Sequence, residues 1–576
     1  MNQKTVDRSP QEMLREAFQL FDEGKLREAL GLAQALRQNH PNHPDVLHLL
    51  GLISLKGKAP EQAEKFIRLA LSLAPDKVFF HVNLGNALRQ QGKNDDARKA
   101  YDKAVTYDPR FPGIYVNRGT LNAEEGLAEE ALRDFEKLID LNPDQPEGYL
   151  RLGRLCTELG QFTRAVETYR AGLKARPEGP MLLLGLAGAL ERAGDLDEAV
   201  AVSEKALAAL PEHPSVLGIW ARAKRRQGHL EEARDRLERI EVAKLPPEMR
   251  RIIHGELGQI YDRLNDAADA FGHFAAQNSA AAKMLDQMDI DKQTYMTQVQ
   301  DLKAAFTPDW VSSWAKIDPA ELCDIPAPVF LVGFPRSGTT LLDQFLDAHD
   351  GVEVLEEQPV LLPIRDALKQ EGGYPQALGS LDVSRINELR ALYLRELEKA
   401  GVDPQAKIVI NKLPLNIIHA GLIGRIFPEA RFILALRHPA DAVLSCFMQD
   451  FQLNASMAHF LTLKDSAALY DAVMSLWRQT RKLLPLWVAE VRYEGLIADP
   501  QAALADVLEL LGISWQGSQG DHVAHARARG TIRTPSYLQV TEPLYSRAAG
   551  RWQRYESQLD GILPRLQPFI QEFGYD

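Results

Sequence analysis

Small and apolar residues return along the first half of the chain with a period of 34 residues. An alanine recurs with that period at positions 29, 63, 97, 131, 165, 199, 233 and 267. Three further positions keep the same period: a small residue at 17, 51, 85, 119, 153, 187, 221 and 255, a proline at 41, 75, 109, 143, 177 and 211, and a glycine at 92, 126, 160, 194 and 228. Four positions held in register over so many copies indicate a tandem repeat.

Each repeat is predicted to be a pair of helices. The small residue lets the two helices approach closely, and the glycine that follows ends the first helix. The alanine lies where the second helix packs, and the proline stops that helix. The pattern resembles the tetratricopeptide repeat (TPR), whose copies stack into an α-helical superhelix. The resemblance covers about residues 10–280 in about eight copies, and Asp262 stands where the eighth glycine is expected, as in a terminal, capping repeat.

The resemblance to TPR proteins implies a concave surface that recruits a peptide, a substrate protein or a partner domain. Asn83 and Asn117, on first helices, are candidates for an asparagine ladder that grips a peptide backbone. Their equivalents in later repeats are Arg151, Gly185 and Ile219, so the ladder does not continue. Plain solvated helix faces are the alternative interpretation of these positions.

A different pattern begins near Ala327. Residues 283–306 predict one more amphipathic helix, after which several prolines interrupt the periodicity. We therefore predict a repeat array over residues 1–281, a helical linker over 282–326 and a second domain over 327–576.

The second domain opens with a strand, a turn and a helix. PVFLVGF (328–334) is a short apolar run suited to a buried parallel strand, and the polar turn PRSGTT (335–340) precedes a helical stretch. This order is typical of a phosphate cradle, in which backbone N–H groups and a helix N-terminus face an anion. The turn supplies a forked positive charge, close backbone approach and hydroxyls through Arg336, Ser337, Gly338, Thr339 and Thr340. Thr339 replaces the lysine that a Walker A loop requires, so a P-loop kinase is disfavoured.

A second strand and helix follow in RFILALRHPADAVLSCF (431–447). Arg437 ends the strand and Ser445 lies on the helix, so both side chains can meet one phosphate at the carboxyl edge of a sheet. An ion pair between Arg437 and Asp441, with Ser445 merely buried, is the structural alternative.

These segments together resemble the sulfotransferase family over about residues 327–555. PVFLVGFPRSGTTLL is similar to the family's 5′-phosphosulfate loop, and RFILALRHPADAVLS is similar to its 3′-phosphate motif. The segments LDAH (346–349), LEEQ (355–358) and NKLP (411–414) are similar to the tyrosylprotein sulfotransferase subfamily. The resemblance implies a P-loop-like, parallel-sheet α/β domain fused to the repeats, a familiar bacterial arrangement. It also implies transfer of a sulfuryl group from 3′-phosphoadenylyl sulfate (PAPS) to a hydroxyl, without a metal.

The resemblance implies a role for each matching residue. The donor would be bound by Arg336, Ser337, Gly338, Thr339, Thr340, Arg437, Ser445 and Tyr493. Catalysis would fall to Glu357 as the base, to Lys412 and Arg336 at the leaving oxygen, and to Ser536 as a transition-state donor. The chain departs from the subfamily at Glu542, which stands where a phosphate-binding lysine is expected, so Arg547 or Arg551 would supply that charge.

Composition bears on compartment and partners. A net charge of −12 over 576 residues argues against a general nucleic-acid binder. The three cysteines lack CxxC spacing, the N-terminus is polar, and no apolar run approaches the ~20 residues of a membrane span. We therefore expect a cytoplasmic protein with no transmembrane segment.

The sequence leaves the acceptor and the activity open. Protein tyrosine follows from the subfamily resemblance, and a glycan or lipid-linked sugar is the alternative acceptor. A catalytically idle TPR scaffold is the alternative to an enzyme. His349, in LDAH, is the rival to Glu357 as the base, although packing is its expected role.

Overall fold

The computed structural model describes residues 9–369, 372–405, 407–521 and 548–575. In the repeat region the helices are α1 (Pro10–Asp22), α2 (Leu26–Asn39), α3 (Pro44–Lys56), α4 (Pro60–Leu73), α5 (Val78–Gln90), α6 (Asn94–Tyr107), α7 (Pro112–Glu124), α8 (Ala128–Leu141), α9 (Pro146–Glu158), α10 (Phe162–Ala175), α11 (Pro180–Ala193), α12 (Leu196–Ala209), α13 (Pro214–Arg226), α14 (Leu230–Leu237), α15 (Pro247–Arg263) and α16 (Ala267–Met288).

Strands and helices then alternate along the rest of the chain. They are α17 (Gln293–Ala305), α18 (Pro308–Ser312), β1 (Val329–Gly333), α19 (Thr339–Asp347), β2 (Val352–Glu356), α20 (Leu362–Leu368), α21 (Val383–Lys399), β3 (Ile408–Lys412), α22 (Ala420–Ile426), β4 (Arg431–Leu436), α23 (Pro439–Phe447), α24 (Leu463–Leu483), β5 (Trp487–Arg492), α25 (Tyr493–Ala498), α26 (Pro500–Ala503), α27 (Ala505–Leu511), α28 (Glu556–Leu559) and α29 (Leu563–Glu572). The predicted fold class, a helical repeat region followed by a parallel-sheet α/β domain, is confirmed.

The periodic positions account for the helix pairs. The second-helix alanines from Ala29 to Ala233 have no exposed surface. The first-helix glycines make room for a partner: a Cβ on Gly85 would lie 2.4 Å from the Tyr101 ring. Gly126, after α7, has a φ of 77°, a left-handed conformation that ends a helix at little steric cost for glycine.

The eighth repeat corrects the sequence register. The fully buried alanine of α16 is Ala270, whereas Ala267 is only half-buried. Two glycines of α15 face the second helix: a Cβ on Gly255 would lie 2.4 Å from the Gln277 side chain, and one on Gly258 would lie 2.8 Å from the Phe274 ring. Because α15 has 17 residues where α13 has 13, the packing positions shift along the chain, and Asp262 lies inside the helix instead of ending it.

The five strands form one parallel sheet in the order β2-β3-β1-β4-β5. Alternate side chains of the central strand enter two separate cores, with Phe330 on one face and Val329 and Leu331 on the other. Since all strands run the same way, their carboxyl ends lie along one edge of the sheet. β2 and β3 lie on one side of β1, and β4 and β5 lie on the other, so the strand order changes direction at β1.

The chain divides into two compact units, residues 1–189 and 190–576. In the second unit, Phe274 of α16 and Phe306 after α17 belong to the same hydrophobic cluster as Phe330 of β1. The three-part division made from the sequence stays a prediction. In the part of the chain that the structure describes, no helix has both the length and the apolar character to cross a membrane.

Candidate active site

All five strands deliver a predicted site residue at the carboxyl edge of the sheet. The strand ends are followed or closed by Glu357 (β2), Lys412 (β3), the turn 334–338 (β1), Arg437 (β4) and Tyr493 (β5). Read across the sheet, the acid and the lysine lie on one side of the turn, and the arginine and tyrosine lie on the other. This edge is where ligands bind in open parallel sheets.

The turn after β1 packs closely against neighbouring residues. Gly338 has a φ of 90°, and a Cβ at this position would lie 2.6 Å from the Tyr493 ring. The Cys446 thiol donates to the Pro335 carbonyl at 3.3 Å. Ser337, Thr339 and Thr340 are buried at the start of α19. The turn and helix therefore follow β1 in the order that the sequence predicts, and their role as a phosphate cradle stays a prediction.

Two arginines and a serine meet on one side of the turn. Arg336 Nε donates to Ser445 Oγ at 3.2 Å, and Arg437 Nη1 donates to the Arg336 carbonyl at 3.0 Å. The Arg437 guanidinium lies 4.9 Å from the Tyr493 ring centroid, and its Nη2 donates to the Ala548 carbonyl. Arg437 Nε is buried with no hydrogen-bond partner among the described residues. A buried donor of this kind suits an anionic ligand.

Arg437 does not form the ion pair with Asp441 that was the alternative arrangement. The Asp441 carboxylate accepts from the backbone N–H groups of Gly550 and Trp552, each at 2.7 Å. Asp441 thus secures a loop, and Arg437 remains beside Arg336 and Ser445.

A fully buried lysine occupies the other side of the turn. Lys412 Nζ lies 3.1 Å from Glu356 Oε1, 3.3 Å from Glu357 Oε1 and 3.2 Å from Asp343 Oδ2. Burial by itself would lower the Lys412 pKa, but the charges of Asp343, Glu356 and Glu357 outweigh it and hold that pKa above its ordinary value. Lys412 is therefore an ammonium ion in the interior.

The four side chains differ in their access to solvent. The side chain of Glu357 is 35% exposed, whereas that of Glu356 is 6% exposed and those of Asp343 and Lys412 are completely buried. Glu357 is thus the carboxylate of this cluster that faces an incoming molecule. Asp343 is a site residue that the sequence did not predict. Its helical stretch, LLDQFLDAH, also contains Gln344 and Asp347, so the acid alone is a weak signal.

Arg336 and Glu357 also have unusual backbone conformations. Among the described residues from 327 onward, the non-glycine residues with positive φ are Arg336 (67°) and Glu357 (50°). Such conformations are unfavourable for residues with a Cβ and persist at functional sites because the surroundings enforce them. For Glu357, its backbone N–H donates to the Lys412 carbonyl at 2.7 Å and contributes to that enforcement.

Several other predicted residues have different surroundings. His349 is buried, and its Nδ1 accepts from the Gly351 backbone N–H at 3.0 Å, which is a packing arrangement. The Arg551 guanidinium lies 3.7 Å from the Met448 sulfur and 3.9 Å from Asp262, so a role in donor binding stays a prediction. Ser536 and Arg547 lie outside the described residues.

The two candidate ladder asparagines have partners within the repeats. Asn83 Nδ2 lies 2.9 Å from His48 Nε2, and its Oδ1 accepts from Asn86. Asn117 Nδ2 donates to the Gly113 carbonyl one turn earlier in its helix. These contacts favour a structural role over peptide gripping for both residues.

Models of known families match both the repeat region and the sheet domain. The model of the sulfotransferase family matches residues 328–517. Models of the tetratricopeptide repeat match residues 14–78, 82–146, 150–214 and 189–252.

The relatives of known sequence include animal enzymes. Protein-tyrosine sulfotransferase 2 of Gallus gallus is 27% identical over 266 residues, covering 43% of this chain and 69% of the relative. Protein-tyrosine sulfotransferase 1 of Danio rerio is 26% identical over 267 residues, covering 44% of this chain and 73% of the relative. An uncharacterized protein of Aquifex aeolicus is 27% identical over 250 residues, covering 42% of this chain, and the match spans only 32% of that longer protein.

Among solved structures, a thermophilic TPR protein of Thermus thermophilus is similar to the repeat fold. It is 23% identical with a TM-score of 0.28, and the match covers 32% of this chain and 99% of that one.

Proposed function

We propose that this chain, with TPRs in its N-terminal region and a C-terminal sulfotransferase domain homologous to protein-tyrosine sulfotransferases, moves the sulfuryl group of PAPS to a hydroxyl acceptor. The acceptor we favour is a protein tyrosine. The repeats would recruit the acceptor protein or a partner. The cytoplasmic compartment stays a prediction from the sequence.

One observation carries the proposal: helix α19 joins a group suited to a phosphate with a group suited to proton transfer. The helix begins at Thr339, in the turn beside Arg336, and one turn later its Asp343 contacts Lys412. An anionic donor held by the turn would therefore have its reacting end near the Lys412–Glu357 pair. The proposal includes no metal, because the cations that would face the donor are the side chains of Arg336, Arg437 and Lys412.

The donor's 3′-phosphate would lie against Arg437 and Ser445. Support comes from the contact of Arg336 Nε with Ser445 Oγ and from the buried Nε of Arg437, which has no hydrogen-bond partner in the part of the chain that the structure describes. Arg336 would then face both phosphate groups of the nucleotide. The Tyr493 ring, beside Arg437, is available for stacking on the base or sugar.

In the transfer step, the acceptor oxygen forms a bond to sulfur while the bond from sulfur to the bridging oxygen of the 5′-phosphate breaks. The acceptor proton passes to the Glu357 carboxylate, and the new negative charge stays on the leaving phosphate. That charge would be stabilised by Arg336 and Lys412. The Lys412 ammonium donates to Glu356 and Glu357 and also lies within ion-pair distance of Asp343. We infer that the leaving phosphate replaces Glu357 at Lys412, which frees that carboxylate to accept the proton.

The acceptor class is supported by two relatives that are named protein-tyrosine sulfotransferases. The sulfotransferase family model, which matches residues 328–517, covers both Glu357 and Lys412. A TPR array suits a protein acceptor better than a free sugar, since such arrays bind extended protein surfaces.

The acceptor is tested by incubating the full chain with ³⁵S-labelled PAPS, EDTA and three pools: an acidic tyrosine-containing peptide, the same peptide with phenylalanine in place of tyrosine, and a mixture of oligosaccharides. We expect label in the tyrosine peptide alone, recovered as tyrosine sulfate after alkaline hydrolysis. Label in the oligosaccharides alone would establish a sugar sulfotransferase and contradict the tyrosine proposal.

A further inference from the structure

The last repeat is bonded to the sheet domain through a buried aspartate. Asp262, inside α15, accepts from Arg554 Nη2 at 3.0 Å and from the Tyr555 hydroxyl at 2.8 Å. Its backbone carbonyl accepts from Arg554 Nη1, also at 3.0 Å. Tyr555 is completely buried. A buried carboxylate with charge-assisted bonds of this kind fixes its partners closely.

The segment that Asp262 holds leads directly to the candidate 3′-phosphate arginine. The backbone N–H groups of Gly550 and Trp552 donate to Asp441, the third residue of α23. The carbonyl of Ala548, two residues before Gly550, accepts from Arg437 Nη2. Residues 548–555 therefore connect Asp262 of the repeat to Arg437 of the sheet edge through consecutive hydrogen bonds.

The same repeat also contacts the helix that carries Ser445. Asn278 of α16 is buried, and its Nδ2 donates to the Phe447 carbonyl at 2.8 Å. The Phe271 ring, on the same helix, stacks on Phe447 with centroids 5.1 Å apart. These contacts hold the carboxyl end of α23, where carbonyl groups otherwise lack partners.

We infer that the eighth repeat is part of the donor site, with Asp262 as a positioning residue for Arg437. The repeat sets the guanidinium of Arg437 through residues 548–555 and sets Ser445 through the end of α23. The inference rests on the proposed function, because it assigns the 3′-phosphate to Arg437 and Ser445. It gives the terminal repeat a specificity role that is separate from recruiting an acceptor.

The test is the selectivity of the full chain for adenosine 3′,5′-bisphosphate over AMP, measured by calorimetry. We expect Asp262→Asn to weaken the bisphosphate about tenfold, as when one charge-assisted hydrogen bond is misplaced, and to leave AMP nearly unchanged. The matched control is Glu248→Gln, which removes an exposed acid from the first turn of the same helix. A general loss of stability would lower both affinities together, so the ratio distinguishes positioning from structural support.

Each outcome has a separate meaning. A parent chain that prefers the bisphosphate, with the same preference in Asp262→Asn, overturns the inference and leaves the proposed function intact. A parent chain without that preference overturns the donor assignment and the inference together. If Asp262→Asn does not fold, Tyr555→Phe, which removes a single hydroxyl, is expected to reduce the ratio more mildly, and an unchanged ratio would overturn the inference.

Discussion

The Lys412 ammonium lies in the protein interior because three carboxylates surround it. A buried lysine without such partners would lose its proton, since burial disfavours the charged form. Asp343 and Glu356 are themselves buried, so the charge of Lys412 in turn stabilises both carboxylates. The resemblance to the tyrosylprotein sulfotransferase subfamily indicated Lys412 and Glu357, but not Asp343, because an acid on a helix ordinarily faces solvent. Only the approach of α19 to β3 shows that this one does not.

Replacing Lys412 with methionine is expected to lower the free energy of unfolding by about 3–5 kcal/mol, the typical effect of leaving a buried charge without its partner. Denaturant unfolding at pH 7 measures the difference. Lys407→Met is the matched control, because Lys407 is exposed just before the same strand. Equal stabilities for the two variants would contradict the assignment of Lys412 as a buried ion-pair partner.

Glu357 and Glu356 are adjacent acids with different expected roles. Glu357→Gln should keep the affinity for adenosine 3′,5′-bisphosphate and lose about 10²-fold or more in turnover, because a general base acts in the transition state. Glu356→Gln, which alters a buried partner of Lys412, should reduce stability more and turnover per folded molecule less. Steady-state kinetics with thermal melts of both variants provide the comparison. An active Glu357→Gln together with a folded, inactive His349→Ala would indicate that His349, and not Glu357, is the general base.

At the scale of elements, the hydrophobic pattern predicted strands β1 and β4, because apolar strands followed by polar turns are a strong local pattern. Strands β2, β3 and β5 were not predicted, and Glu357, Lys412 and Tyr493 followed from the resemblance to the sulfotransferase family. The 34-residue period also placed the packing alanine of the eighth repeat three residues too early. Gly255 keeps the 34-residue period and packs against α16 as predicted, but Gly258 approaches the same helix, and the fully buried alanine is Ala270 instead of Ala267. A lengthened helix leaves no trace in the sequence when small residues occupy both registers.

Strand β4 begins at Arg431 and is followed by Arg437, which allows an internal control. Arg437→Ala should weaken adenosine 3′,5′-bisphosphate at least about tenfold and leave AMP almost unchanged, through the loss of a charge-assisted hydrogen bond to the 3′-phosphate. Arg431→Ala, at the opposite end of the strand, should change neither affinity. Calorimetric titration of both nucleotides measures the effect. The same loss for both ligands in Arg437→Ala would remove this residue from the 3′-phosphate site.

At the scale of the whole molecule, the last repeat and the sheet domain share one hydrophobic cluster. The link between Asp262 and Arg554 joins residues that are 292 positions apart, so no local pattern could reveal it. The sequence period shows where the repeat pattern ends. It does not show where a folding unit begins, because that boundary depends on the surfaces that the repeats bury.

Two fragments test this point. A fragment of residues 195–576 keeps α12 to α16 and should bind adenosine 3′,5′-bisphosphate like the full chain. A fragment of residues 327–576 lacks Phe274 and Phe306 of the shared cluster and should melt at a lower temperature and lose most of that affinity. Circular dichroism and calorimetry report the two properties. Full affinity in the shorter fragment would show that the donor site does not need the last repeat.

The central claim is sulfuryl transfer from PAPS at the carboxyl edge of the sheet, and mass balance tests it most directly. The full chain is incubated with PAPS, EDTA and a dialysed extract of host cells, and adenosine 3′,5′-bisphosphate and sulfated acceptor are both quantified. We expect equal molar amounts of the two products from the parent chain and neither above background from Glu357→Gln. PAPS that stays intact while the nucleotide product binds tightly would instead identify a catalytically idle scaffold and contradict the account.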